Sequence, residues 1–240
     1  MKVLVIGGAG RVGHMIVGPL SRRHTVRVAD RGPGKLRQDG IEVVTVDVTD
    51  AASLRRAMSS QQALIYAAMG RQEDWGTIGG WAESHFDVNV KGVYLALQTA
   101  AAAGVRRVVY ASSVSIFESY LDRGHELQES EPDATDAYGL SKRLGEQACI
   151  AAAHEHGLEV VSLRLCGPLS NEEYLAYDGP QPEIYTAGSD VAAAFDAALT
   201  CHVRGFEAFV VCGDHDEKYL SWSRTHNRLG WAPQFRPPAS

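Results

Sequence analysis

Three residues of this chain have the types and spacing to move a proton at a reacting carbon: Ser113, Tyr138 and Lys142. Tyr138 and Lys142 stand four positions apart in a stretch, Asp136 to His156, that reads as a helix, so both side chains project from one face. A free tyrosine titrates near 10 and is a poor base at neutral pH; an ammonium beside it favours the phenolate. Ser113 closes the apolar run Val105 to Ala111, which reads as a strand, and its hydroxyl suits a substrate oxygen. Together they fit proton transfer at a carbon that also exchanges a hydride. A Tyr-x-x-x-Lys spacing alone is as often a surface pair; the conjunction with Ser113 carries the expectation.

A hydride needs a carrier, and the start of the chain, KVLVIGGAGRVG, reads as a site for one. Val3 to Ile6 predict a buried parallel strand, and Gly7, Gly8, Gly10 and Gly13 a tight turn into a helix from Arg11 to Arg23. Such a turn lets backbone approach a pyrophosphate, which then sits on the helix N-terminus. The next strand, His24 to Asp30, ends on an acid about twenty residues further on, the position that bonds an adenosine ribose. Asp30 therefore favours NAD over NADP, while Arg31 and Lys35 are the residues that would instead pair with a 2′-phosphate. Asp47 and Val48 close a third strand, Ile41 to Val46; Asp47 is either an adenine contact or an ordinary turn acid. A fourth strand, Ala63 to Ala68, ends in small residues that leave room for a flat ligand, so Ala67 and Ala68 are candidate cofactor contacts. Met69 and Ser112, at the ends of the fourth and fifth strands, are candidate substrate contacts, because ligands of open parallel sheets bind at that edge.

The remaining elements are those that hold these groups in place. A long helical pattern runs from Trp81 to Gly104 with Asn89 among its apolar residues, a sixth strand spans Leu158 to Leu165, and Ser189 to Cys201 is an alanine-rich helix. Phe206 to Cys212 predicts a last strand and Tyr219 to Leu229 a short helix. Two stretches read as loops over the ligand edge: Arg71 to Gly80, and the polar, tyrosine-bearing Leu169 to Pro182. The tail from Trp231 to Ser240 is proline-rich and reads as frayed. The whole is an α/β chain with a Rossmann-like, doubly wound parallel sheet and a reduced C-terminal substrate-covering part, divided as 1–168 and 169–240.

Composition excludes several classes. A chain of 240 residues with 45% hydrophobic content can build one large core. Net charge of −6 and no basic run argue against nucleic acid or an anionic membrane surface, leaving a small soluble ligand. Cys149, Cys166, Cys201 and Cys212 are scattered and read as reduced core thiols, with no metal spacing. His215, between Asp214, Asp216 and Glu217, is either a metal ligand or part of a solvated turn, and the consecutive spacing favours the turn. The absence of a basic, apolar leader points to a cytoplasmic protein.

With these pieces assembled, the chain resembles the extended short-chain dehydrogenase/reductases of the NAD-dependent epimerase/dehydratase type. The resemblance rests on GGAGRVG, Asp30, VDV at Val46 to Val48, IYAA at Ile65 to Ala68, NVKG at Asn89 to Gly92, VVYASSVSIF at Val108 to Phe117, YGLSK at Tyr138 to Lys142 and LRLCGP at Leu163 to Pro168. It implies that Ser113, Tyr138 and Lys142 form the catalytic trio, with Tyr138 as acid/base, Lys142 on the nicotinamide ribose and lowering the tyrosine pKa, and Ser113 on the substrate oxygen. It further implies that Gly7, Gly10, Arg11, Val12, Asp30, Asp47, Val48, Ala67 and Ala68 line the cofactor. Only about seventy residues follow Pro168, so the chain is most similar to short members that resemble uronate dehydrogenases. The implied function is hydride exchange between NAD and a hydroxyl or carbonyl of a small polyol, sugar or sugar acid; the rivals are a redox-neutral sugar epimerase/dehydratase and a non-catalytic dinucleotide sensor. Arg164 matches an arginine that grips a sugar carboxylate, or else is a strand arginine paired with a surface acid. Val114-Ser115 departs from the polar Asn-His pair of uronate dehydrogenases. A homodimer through the helices at Trp81 to Gly104 and Asp136 to His156 is implied by the resemblance.

Overall fold

A computed structural model describes residues 1–32 and 40–236. Lys35 lies outside them. Among the described residues the central sheet has seven parallel strands: β1 (Lys2–Ile6), β2 (Thr25–Asp30), β3 (Glu42–Thr45), β4 (Ala63–Tyr66), β5 (Arg107–Ser113), β6 (Glu159–Leu165) and a last strand, Phe206–Val211, called β9 below, in the order β3-β2-β1-β4-β5-β6-β9. Order reverses between β1 and β4, which opens a crevice at the carboxyl ends of those strands. A second, two-stranded ladder pairs β7 (Pro168–Leu169) with β8 (Thr186–Ala187) beside that edge.

The strands are apolar on both sides because both sides are covered. Val3, Val5, Val28, Ile65 and Val109 enter one core, and Leu4, Ile6, Leu64, Tyr66 and Val108 the other. On the first face lie α1 (Arg11–Ser21) and, late in the chain, α8 (Gly188–Thr200). The second face carries α2 (Ala51–Met58), α3 (Gly80–Phe86), α4 (Val93–Ala102) and, after the short α5 (Tyr120–Arg123), the long α6 (Ala137–His156). A π-helical turn, Asp87–Gly92, joins α3 to α4, so the pattern at Trp81 to Gly104 is one rod with a local widening at Asn89. The side chain of Asp50 accepts from Ala52 and Ser53 at the start of α2, and that of Asp136 accepts from Tyr138 and Gly139 at the start of α6. No helix among the described residues is long and apolar enough to cross a membrane.

Two expectations for the C-terminal part change. Leu169 to Pro182 is not all loop: Ser170 and Glu173 form a capping box that starts α7 (Asn171–Ala176). The tail is docked as far as Arg236 rather than frayed, ahead of which stands α9 (Ser223–Leu229). Trp231 is buried and its Nε1 donates to the Asp190 carbonyl; the Asp190 carboxylate accepts from the Gln234 and Phe235 amides at 3.0 Å. His215 joins this anchor, its Nε2 lying 3.0 Å from the Phe235 carbonyl, while Asp214 accepts three backbone N–H groups of the following turn.

Candidate active site

The glycine turn is shaped by what a side chain would strike. Gly7 has φ +81°, and a Cβ there would lie 2.3 Å from the Ala68 amide nitrogen; one at Gly13 would lie 2.3 Å from the Gly8 carbonyl oxygen. Backbone thus packs directly on backbone, bringing the end of β4 against the first turn and α1 against β1. The N-cap of α1, Gly10, offers no side-chain acceptor, and the first turn carries no acid, so its N–H groups face the crevice uncapped. Asp30 sits beside them: its carboxylate accepts from the Ala9 amide at 3.1 Å and the Gly32 amide at 3.2 Å. Asp47 accepts from the amide and hydroxyl of Thr49 at 2.8 and 2.7 Å, and those bonds, the hydroxyl first, hold its carboxyl below the usual range. It is a turn acid whose position also borders the crevice.

One cleft of about 840 Å³ runs from this turn along the strand ends. Gly7, Gly10, Arg11, Val12, Asp30, Asp47, Val48, Ala67 and Ala68 line one part; Met69, Ser112, Ser113, Tyr138 and Lys142 line the rest. An uncapped helix start, glycines without room for a Cβ and a carboxylate at the β2 end suit a dinucleotide.

At the chemical end, Lys142 is buried and its Nζ donates to the Ala111 carbonyl at 2.8 Å. Burial lowers its pKa to about 8, with Glu146 one helical turn away partly opposing that. Ser113 is buried at the β5 end, and its Oγ accepts from the Ser115 amide at 3.1 Å. Tyr138 differs from expectation: burial raises its phenol above the ordinary value, and the Ser113 hydroxyl beside it opposes the rise. The expected lowering by Lys142, whose ammonium donates to the β5 carbonyl, is not found. Ser112, next to Ser113, is 3% exposed, and its Oγ has no partner among the described residues.

Arg164 is corrected. Side chains alternate along β6, which turns Ser162 and Arg164 toward α6 rather than to the strand ends. There the guanidinium forks onto buried Glu146, at 3.1 Å through Nε and 2.9 Å through Nη2, and stacks 5.0 Å above the Phe117 ring. Ser162 completes the cluster by donating to Glu146 at 2.7 Å. Arg164 does not line the cleft, and its fork has no N–H group left for a substrate carboxylate on the Glu146 side.

Residues outside the expected set also belong here. Trp75, from the Arg71 to Gly80 loop, lies with its ring centroid 5.0 Å from that of Tyr138, and His85 meets the same phenol ring edge-on at 5.5 Å. His85 is held neutral by burial, its Nε2 3.2 Å from the Arg71 carbonyl and its Nδ1 3.0 Å from the Asn89 amide. Asn89 in turn bonds Ser141 Oγ and the Gly70 amide, tying α3, β4 and α6 together beneath Tyr138. Tyr185 lines the opposite wall, its hydroxyl accepting from Tyr177 at 2.8 Å.

Proteins similar in sequence include an L-arabinose 1-dehydrogenase (NAD(P)(+)) of Haloferax volcanii, 25% identical over 97% of this chain and 96% of its own length. An NAD-dependent glucose-6-phosphate dehydrogenase of the same organism is 26% identical over 97% of this chain and 92% of its own. Among solved structures, the glucuronic acid dehydrogenase of Chromohalobacter salexigens superposes with a TM-score of 0.83 at 21% identity, covering 99% of this chain and 85% of that one. The model of the NAD-dependent epimerase/dehydratase family matches residues 3–179, and the chain belongs to that family of NAD-dependent enzymes.

Proposed function

We propose that this protein is an NAD-dependent oxidoreductase acting on a hydroxyl or carbonyl carbon of a small sugar or sugar acid. The observation that carries the reading is the meeting, in one cleft, of Ser113, Tyr138 and Lys142 with the uncapped glycine turn and Asp30. NAD, when bound, supplies the hydride acceptor. In the oxidising direction Ser113 holds the substrate hydroxyl and Tyr138 takes its proton as the carbon gives up hydride. Lys142 supplies a donor for the coenzyme ribose and places positive charge at the chemical end of the cleft. Uncapped N–H groups of α1 receive the pyrophosphate, and Asp30 takes the adenosine ribose hydroxyls and disfavours a 2′-phosphate.

Likeness to sugar dehydrogenases over nearly the full length of both chains supports the substrate class. The relatives differ in their sugars, and the displacement of Arg164 onto Glu146 removes one basis for preferring a carboxylate-bearing substrate. The same reading includes a cytoplasmic homodimer: Phe86, Tyr94 and Ile150 are exposed apolar residues on the helices through which the resemblance implies pairing. The test is a turnover panel of free aldoses, uronates and simple alcohols with NAD and NADP in parallel. Steady NADH formation, stoichiometric with substrate, is expected for at least one sugar. Isomerisation without net NADH, or no turnover across the panel, would overturn it.

A further inference from the structure

Trp75 is an unusual residue for its place. It is the one aromatic of a glycine-bracketed loop, RQEDWGTIGG, that also carries the exposed Ile78, and more than half of its surface, 54%, is exposed. An exposed indole is costly to keep in water unless it packs on something or waits for something. Here it does both. The loop makes a tight turn at its tip, with Thr77 donating its amide to the Asp74 carbonyl at 3.1 Å and its hydroxyl to the same oxygen at 2.8 Å. Its base is pinned on α3 by the bonds from the Arg71 amide to Ser84 Oγ and between the Arg71 carbonyl and His85. Anchored so, the indole rests among Trp81 at 5.0 Å, His85 at 5.6 Å and Tyr138 at 5.0 Å, while bordering the same cleft as Ser113 and Met69.

We propose that Trp75 is the platform for the apolar C–H face of a closed-ring sugar, holding the ring over Tyr138 while its hydroxyls reach the serines that border the same cleft. A pyranose or furanose has one face of C–H groups and a rim of hydroxyls, which matches an indole beside a row of hydroxyl-bearing residues. Ser112 borders the same cleft, and its Oγ, buried beneath that surface, has no partner among the described residues. Ser84, Ser113 and Ser115 line the same space. An acyclic polyol has no such face to offer. The inference rests on the oxidoreductase reading and narrows its substrate to closed-ring sugars.

The test is calorimetric titration of the NAD-loaded protein with L-arabinose, D-glucose, D-glucuronate and acyclic glycerol, using wild type, Trp75→Leu and Trp75→Phe. The leucine variant should weaken the ring sugars roughly tenfold or more, and phenylalanine should recover most of that loss. Affinity for NAD should change less than about threefold in both variants, which separates a lost platform from a damaged fold. Unchanged ring-sugar affinity in Trp75→Leu overturns the inference. So does a wild type that binds no ring sugar yet forms NADH from an acyclic alcohol, an outcome that leaves the oxidoreductase reading standing. Ring sugars bound through Trp75 but never oxidised would support the platform and overturn that reading instead.

Discussion

The Nζ of Lys142 lies 2.8 Å from the carbonyl oxygen of Ala111, two residues before Ser113 on β5. This bond ties the lysine of α6 to the strand that carries the serine. The two ionisable groups depart from their ordinary values in opposite directions, and burial is the cause of both. Burial lowers the ammonium to about 8 and raises the Tyr138 phenol.

A pH signature follows from that inversion. Oxidation requires phenolate and ammonium together, a combination most populated between the two values when the lysine's lies below the tyrosine's. Oxidative kcat/KM should therefore rise through about pH 8 and hold on the alkaline side. In reduction the phenol must carry its proton and Lys142 its charge, so kcat/KM should fall above about pH 8. Profiles in both directions check this; an oxidative rate that declines through that pH would contradict it.

Arg164 and Glu146 predict a stability effect rather than a substrate effect. Removing one partner of a buried pair, as in Glu146→Ala, should cost on the order of 3–5 kcal/mol, lowering Tm by about 10 °C for a chain of this size. Replacing both with similar-sized apolar residues should recover much of the loss. Thermal denaturation of the two single variants and the double variant measures it. A selective rise in KM for uronates, with Tm unchanged in Arg164→Met, would return Arg164 to the substrate.

The charge of Asp30 should set coenzyme choice. Asp30→Asn keeps an acceptor for the Ala9 or Gly32 amide while removing the negative charge. Preference for NAD over NADP should shrink roughly tenfold to hundredfold, the scale of hydrogen bonds to a charged group. Paired Kd measurements test it, and an unchanged ratio would place discrimination elsewhere.

Local spacing made the site largely legible. Glycines three residues apart, an acid at the end of the second strand and Tyr138 one helical turn before Lys142 each constrain neighbouring backbone, so their geometry follows from short-range rules. Arg164 was ambiguous because its partner lies in another element: which face of β6 it shares with Glu146 depends on strand register and on how α6 lies across the sheet. No periodicity points to Trp75 in a glycine-rich loop, although a tryptophan in such a loop is itself a signal. The docking of the tail is not legible from its prolines, which mark irregular backbone without saying what it packs against; Asp190 supplies the acceptors that hold it.

The most direct measurement compares turnover and NAD affinity in Tyr138→Phe, a change that deletes one hydroxyl and keeps the ring packed on Trp75 and His85. With a sugar that wild type oxidises, kcat should fall roughly 10²- to 10⁴-fold, the usual scale of a lost general acid/base, with NAD affinity nearly unchanged. Turnover equal to wild type would remove Tyr138 from the chemistry and contradict the account.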